Sequence, residues 1–305
     1  MKISIVTPMY NESAVVKIFL EKVSTELIAT KSEYEIICIN DGSIDNTLDT
    51  LKALKHDFPE IRIVNLSRNF GKESALTAGI DFATGDVIIP MDADLQDPPE
   101  LIHEMLKKYY EGFDVVLAKR KNRSSDTRLK RTTAGLFYRL ISSISNVKIQ
   151  ENVGDYRLMS RRVVDVLKQL KETQRFMKGI FAWPGFSTTI VEYVRTPRVA
   201  GNTSFNGLAL VNLAIEGITS FSVAPLKLAM MLGFLVSAFA FVYASIIASK
   251  TLFYGIEVPG YASLMVVVLF MSGLQFILIG IMGEYIGRVY MESKNRPIYI
   301  IEKEY

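Results

Sequence analysis

The sequence is poor in the residues that most reactive sites and cross-links are made from: one cysteine, one tryptophan and two histidines in 305 residues. Cys38 lies in the apolar run Ile36-Ile37-Cys38-Ile39. A lone cysteine makes no internal disulfide, and no histidine lies near it, so it reads as core filling in a reducing compartment rather than as a catalytic thiol. His56 and His103 fall in charged, helix-like stretches and are expected on the surface, which leaves little from which to build a zinc site. Three motifs are also missing. No G-x-G-x-x-G follows the first apolar run, no G-x-x-x-x-G-K-[ST] is present, and no G-x-S-x-G appears. Their absence argues against a dinucleotide dehydrogenase, a P-loop NTPase and an α/β-hydrolase. There is no long single-sign charge run and no repeat of solenoid length, and the net charge is only +3. Bulk charge therefore gives no reason to expect nucleic acid as a partner. Met1 to Val6 turns polar too soon for a signal peptide and reads as a first strand, so the chain is expected to start in the cytosol.

Hydrophobic residues are abundant, at 49%, and the mean hydropathy is positive. That is high for a wholly soluble protein and low for a many-span carrier. The excess is concentrated late in the chain. Leu228 to Ser249 and Val258 to Gly283 carry no charge, and each exceeds the roughly 20 residues that cross a bilayer core. The short connection from Lys250 to Glu257 makes them a helical hairpin. Arg288, Lys294, Arg296 and Lys303 follow the second run, against Lys250 alone in the connection. This bias predicts both ends on the cytosolic side, and Tyr254, Tyr261, Tyr285 and Tyr290 suit an interfacial aromatic belt. The resulting division is a soluble domain over 1–205, an interfacial helix over 206–224, transmembrane helices over 225–250 and 258–284, and a cytosolic tail over 285–305. Two readings stand for the stretch before the hairpin, which mixes Leu208, Val211 and Phe221 with Asn212 and Glu216: a helix in the membrane interface, or a packed helix of the soluble domain. The same two readings stand for the basic amphipathic stretch from Thr127 to Ser145.

Before the hairpin, β-branched apolar runs alternate with stretches of helical period. Ile3–Thr7, Tyr34–Ile39, Ile61–Leu66, Val87–Pro90 and Val115–Ala118 read as strands. Ser13–Thr30, Asp45–His56, Lys72–Ala83 and Pro99–Tyr110 read as helices, the first with Asn11 as a candidate N-cap. Such alternation predicts an α/β domain with a mostly parallel, Rossmann-like sheet. Ligands of such sheets bind beyond the carboxyl ends of the strands. Every strand here is followed by polar residues: Pro8-Met9-Tyr10-Asn11-Glu12, Asn40-Asp41-Gly42-Ser43, Ser67-Arg68-Asn69-Phe70-Gly71-Lys72, Met91-Asp92-Ala93-Asp94-Leu95-Gln96-Asp97 and Lys119-Arg120. If the segment after the fourth strand stays extended, Asp92, Asp94 and Gln96 share a face. Their hard oxygen atoms suit Mg²⁺ or Mn²⁺ bridging a diphosphate.

Together, Pro8-x-Tyr10-Asn11-Glu12, Asp41-Gly42-Ser43-x-Asp45, Arg68-Asn69-x-Gly71-Lys72 and Asp92-x-Asp94-x-Gln96 resemble the GT-A-fold glycosyltransferases of family 2. With the hairpin and Gly154-Asp155-Tyr156-Arg157-Leu158-Met159-Ser160, the whole chain looks like the polyprenyl-phosphate glycosyltransferases. It is most similar to the bactoprenol glucosyltransferases of serotype-converting prophages, and more loosely to dolichyl-phosphate mannose synthases. The resemblance implies transfer of a hexose, glucose from UDP-glucose, to undecaprenyl phosphate in the bacterial inner membrane, for O-antigen or other glycan modification. It implies that Pro8, Tyr10, Glu12 and Asp41 hold the base and ribose, that Lys72 and Asp92 serve the donor, and that Asp94 and Gln96 bind the metal. Arg198-Val199-Ala200-Gly201-Asn202-Thr203-Ser204 resembles the family's R-x-x-G-x-S element, which would bring Arg198 and Ser204 to the phosphates. The sequence departs from the family at Phe205, where lysine is frequent. Partners that follow are the UDP-sugar, undecaprenyl phosphate, the lipid bilayer, a homo-oligomer, and downstream a flippase and a second glycosyltransferase.

The chemistry stands beside the resemblance. A lipid phosphate is already anionic near neutral pH, its second pKa being about 6. It needs cations to sit beside a second phosphate rather than a strong base. Arg120, Arg128, Arg131 and Arg198 are the candidates, because a guanidinium matches phosphate bidentately. Rival readings fit less well. A processive synthase would carry a Q-x-x-R-W element, where this chain has Gln174-Arg175-Phe176-Met177. A non-catalytic scaffold would lack Asp92 and Asp94, and a flippase needs more than two spans.

Overall fold

All five apolar runs are strands, because each is long enough to cross a buried layer and too rich in β-branched residues to favour helix. The computed structural model describes residues 1–121, 150, 152–173, 175–194, 222–254 and 260–305. The strands are β1 (Lys2–Met9), β2 (Glu33–Asn40), β3 (Ile61–Leu66), β4 (Val87–Pro90) and β5 (Val115–Arg120). Three more join them: β6 (Val153–Ser160), β7 (Thr188–Tyr193) and β8 (Ile301–Glu304). The sheet order is β7-β5-β6-β4-β1-β2-β3-β8. Strand β1 pairs in parallel with β2 and β4, β2 with β3, and β5 with β7. Strand β6 is antiparallel to β4 and β5, and β8 is antiparallel to β3. The expected parallel sheet is thus its centre, with antiparallel insertions on both sides.

The helices are α1 (Val16–Ala29), α2 (Thr47–Leu54), α3 (Lys72–Phe82), α4 (Leu101–Tyr110), α5 (Arg161–Leu167) and α6 (Met177–Ala182). On one face of the sheet, Phe19, Leu20 and Val23 of α1 and Met105 of α4 pack on Ile3, Ile5, Cys38, Val116 and Leu158. Helix α3 covers β1 and β2 on the other face. Covering both faces makes the central strands continuous apolar runs rather than alternating ones. Gly79 permits α3 to lie so close, since a Cβ there would stand 2.2 Å from Cγ1 of Val6. Cys38 is fully buried and its thiol is pushed up to about 12 by that burial, as core filling requires. His103 bridges α4 to α1 through Glu26, at 2.8 Å. Asn11 does not cap α1. It has φ 55°, and its Oδ1 accepts from Ile44 N–H at 2.9 Å.

The two apolar segments form helices α7 (Ala224–Tyr254) and α8 (Tyr261–Ser293). Stretches Ala224–Ile247 and Val266–Ser293 are long and apolar enough to cross a membrane. At 1.5 Å per residue each helix is roughly 45–50 Å long, against a hydrocarbon core of about 30 Å. Helix α8 runs nine residues beyond the expected end at 284, and Glu284 and Arg288 pair within it at 3.1 Å. The rest of the segment read as a tail supplies β8. Its pattern, Ile301-Glu302-Lys303-Glu304, is too short and too charged to announce a strand. Pairing reveals it: Glu304 reaches Arg62 at 2.7 Å, Glu302 accepts from Asn65 at 2.5 Å, and Tyr305 exchanges both backbone bonds with Ile63. The segments 127–145 and 206–221 lie outside the described residues.

One carboxylate is sunk in the sheet. Glu35 is 3% exposed, and accepts from Ser4 Oγ at 2.6 Å, Thr84 N–H and Oγ1 at 2.8 Å each, and Arg62 at 3.2 Å. Burial alone would raise its pKa, but these donors outweigh it and hold the carboxyl at about 2, below its usual 4.5. A depressed carboxyl stabilises the fold above its unfolded pKa, and the gain, about 3 kcal/mol, is lost as pH falls from about 4.5 to 2. Glu35→Gln should therefore lower the melting temperature at pH 7, and the gap to the parent should narrow as pH falls toward 3. A melting series in detergent checks this; a gap independent of pH would show that the charge contributes nothing.

Candidate active site

The loops at the carboxyl edge are fastened to one another before any ligand arrives. Asp41, 3% exposed, accepts from Phe70 N–H at 2.7 Å and Gly71 N–H at 2.9 Å, one on each carboxylate oxygen. Burial raises its pKa against those two bonds. Gly42 follows with φ +62°, and a Cβ there would stand 2.4 Å from the Arg68 carbonyl carbon. Only glycine lets the β2 loop lie on the β3 loop. The β1 loop joins through Glu12 N–H to Thr47 Oγ1 at 2.8 Å and Asn11 N–H to Ser43 Oγ at 3.0 Å. Pro8 and Glu12 are half-buried there, and Tyr10 presents its ring 45% exposed. The β1 loop is thus tied to the β2 loop, and Asp41 ties the β2 loop to the start of α3.

Lys72 opens α3. Its ammonium lies 2.7 Å from Asp92 and 3.0 Å from Asp155. Burial pulls its pKa down, but the two carboxylates outweigh that and hold it above the ordinary lysine range. In return Asp155, raised by burial, is brought below the usual carboxylate range by Lys72 and Arg157. The Asp92–Gln96 segment is a turn rather than an extended run: β4 stops at Pro90, Leu95 has φ 54°, and Gln96 N–H donates to Asp94 Oδ1 at 3.1 Å. Asp92, Asp94 and Gln96 are half-buried while Met91, Ala93, Leu95 and Asp97 are buried, and the side-chain oxygen of Gln96 is itself buried. Among the described residues no three His, Cys, Asp or Glu side chains cluster as a metal cage. One or two carboxylates completed by substrate phosphates and water are how Mg²⁺ is usually held. The donor set therefore fits an ion that arrives with a diphosphate.

Arg120, at the end of β5, donates through Nε to Tyr193 Oη at 3.2 Å and lies 3.9 Å from Asp97. Tyr193 Oη in turn donates to Asp97. The guanidinium approaches the site through Gly154, where a Cβ would stand 3.3 Å from Nη2. Arg120 thus joins Lys72, Asp92 and Asp155. Arg128, Arg131, Arg198 and Ser204 lie outside the described residues. Two groups here had no role assigned from sequence, Asp155 and Glu73. Asp155 sits in the quoted segment Gly154–Ser160, but only the antiparallel register of β6 beside β4 carries it to Lys72. Glu73 has a buried Oε2 with no hydrogen-bond partner. Its carboxyl is pushed up to about 7 by burial and by Asp155.

Comparison with known proteins agrees with this architecture. Residues 4–167 match the profile described as glycosyl transferase family 2, and residues 224–289 match that of the GtrB C-terminal hairpin. The chain is 52% identical to a prophage bactoprenol glucosyl transferase homolog of Escherichia coli K12, over 99% of both chains. It is 51% identical to the bactoprenol glucosyl transferase of Shigella phage SfV, over 100% of this chain and 99% of the other. An uncharacterised glycosyltransferase of Synechocystis is 51% identical over 98% of this chain and 94% of its own.

Glu73 supplies a test of the site's electrostatics. A raised carboxyl pKa means the folded protein keeps a proton that the unfolded chain releases between about pH 4.5 and 7, so stability falls as pH rises through that window. Glu73→Gln carries no such charge. Its melting temperature should rise relative to the parent by roughly 5 °C between pH 5 and pH 8. A constant difference across that range would mean Glu73 is already ionised at pH 5.

Proposed function

The chain belongs to glycosyl transferase family 2, and from that premise we propose that it transfers glucose from UDP-glucose to undecaprenyl (bactoprenol) phosphate. The observation that carries the reading is likeness over nearly the whole chain, hairpin included, to two proteins named for that activity. In the reaction a lipid-phosphate oxygen attacks the anomeric carbon, the carbon–oxygen bond to UDP breaks, and UDP departs with the bonding electrons. Attack opposite the leaving group turns an α-linked donor into a β-linked lipid phosphate sugar.

Pro8, Tyr10, Glu12 and Asp41 form the nucleoside end of the donor site, with Tyr10 exposed for stacking. Asp94 and Gln96, beside Asp92, would supply oxygen donors to Mg²⁺ or Mn²⁺, which when bound would neutralise diphosphate charge. Lys72 and Arg120 add fixed positive charge next to those carboxylates. Arg128, Arg131, Arg198 and Ser204 complete the acceptor phosphate side. No general base is required, because the acceptor is ionised at neutral pH; the rate rests on positioning and charge screening. The enzyme sits in the bacterial inner membrane with its catalytic domain and both ends cytosolic, and its product must be turned across the membrane by a flippase and consumed by a second glycosyltransferase.

Membranes supplied with labelled UDP-glucose and a short polyprenyl phosphate should form an acid-labile, β-linked glucolipid. EDTA should abolish transfer and Mg²⁺ or Mn²⁺ restore it, and Asp94→Asn should lower turnover at least about 100-fold, near 2.7 kcal/mol of barrier. Wild-type turnover by Asp94→Asn in chelator would sink the metal assignment.

Orientation can be read by thiol labelling, because Cys38 is fully buried and stays silent. In intact cells an impermeant maleimide should label Lys250→Cys and spare Lys294→Cys. The reverse pattern would invert the topology.

A further inference from the structure

At the carboxyl edge one pair of opposite charges is held open. Arg120 Nη2 lies 3.9 Å from Asp97 Oδ1, although Asp97 is buried. A guanidinium beside a buried carboxylate ordinarily closes to a forked contact at about 2.8 Å. Here the Tyr193 hydroxyl stands between the two. It accepts from Arg120 Nε at 3.2 Å and donates to Asp97. Burial and Asp97 push the phenol above its ordinary pKa, so it keeps the proton that the second bond needs.

The phenol is braced on several sides. Strands β5 and β7 run parallel with Arg120 in register opposite Tyr193, and Lys121 N–H donates to the Tyr193 carbonyl at 2.9 Å. The Tyr156 ring of β6 meets the Tyr193 ring edge-on, with centroids 6.3 Å apart. Tyr156 Oη also donates to the Pro98 carbonyl at 2.9 Å, which fixes the loop that carries Asp97. Packing alone explains the ring but not the hydroxyl, since phenylalanine would fill the same space. What the hydroxyl does is occupy Nε and spare the rest of the fork. Among the described residues the Arg120 side chain makes no other hydrogen bond, and Gly154 leaves room beside Nη2, where a Cβ would stand 3.3 Å away.

We propose that Tyr193 is a positioning residue: its hydroxyl is a spacer that keeps Arg120 from closing on Asp97 and so leaves the guanidinium fork for the phosphates of the reaction. The assignment rests on the reading above, in which Arg120 serves phosphate during glucosyl transfer. Without the hydroxyl, Arg120 and Asp97 would meet directly in a forked pair. Such a pair is a stronger contact than the one it replaces, and it turns the guanidinium away from substrate. Loss of the spacer therefore lowers the rate without weakening the fold, which a purely structural tyrosine would not do.

The test uses the full chain in nanodiscs. Tyr193→Phe should lower kcat by about tenfold or more and leave the UDP-glucose KM within about threefold, with a melting temperature at or above that of the parent. Adding Asp97→Asn removes the charge that captures Arg120, so the double variant should turn over at least about threefold faster than Tyr193→Phe alone. A crystal structure of Tyr193→Phe should show Arg120 in direct hydrogen-bond contact with Asp97. Parental kcat in Tyr193→Phe would overturn the proposal. So would a double variant no faster than the single one, the mark of a hydroxyl that touches substrate itself, or a melting temperature that falls along with the rate, the mark of a structural role. Each of these leaves the parent's glucosyl transfer intact. A parent that makes no glucolipid at all would instead remove the functional reading on which the proposal rests.

Discussion

The ammonium of Lys72, held between Asp92 and Asp155, is the contact around which the catalytic edge is arranged. It joins three segments far apart in sequence: the first residue of α3, the turn after β4 and the start of β6. Arg120 acts on Asp92 and Arg157 on Asp155 as well, so each carboxylate faces more than one cation. The arrangement depends on β6 being antiparallel to β4. A parallel β6 would place Asp155 at the opposite edge of the sheet, and Lys72 would face one carboxylate instead of two.

Positioning of that kind requires rigid loops, and the fold achieves it by turning polar side chains inward onto main chain. Asp41 fixes the two N–H groups that precede α3, and Gly42 removes the only atom that would hold the two loops apart. The polar residues at the strand ends therefore divide into those that brace the crevice and those that face into it. Asp41 braces with both oxygens; Tyr10, Asp92 and Asp94 remain accessible.

Much of this was legible in the sequence because the central strands are buried on both faces and announce themselves by composition alone. The loops that follow them could then be placed on one edge by topology, which brings Lys72, Asp92 and Arg120 together without any distance being known. What escaped was whatever depends on pairing register. Asp155 and Arg157 sit on an antiparallel strand whose position beside β4 and β5 has no local signature. The Asp92–Gln96 segment was read through strand alternation, whereas a left-handed Leu95 and the Asp94 side chain bend it into a turn in which Asp92 and Asp94 stay half-buried and the Gln96 side-chain oxygen is buried. Asn11, read as a helix cap, uses its amide on the neighbouring loop because a positive φ turns it away from α1.

Strand β8 follows the apolar hairpin in sequence yet pairs with β3, more than two hundred residues upstream. The edge of β3 therefore stays unsatisfied through synthesis until both long helices have been made. An open strand edge invites pairing with other chains, and a contact so distant in sequence closes late. Completion of the sheet is in this way a report that the hairpin has been translated: a chain halted before its helices carries a sticky, unfinished domain suited to disposal, and only a chain that contains its anchor segments can present a closed one.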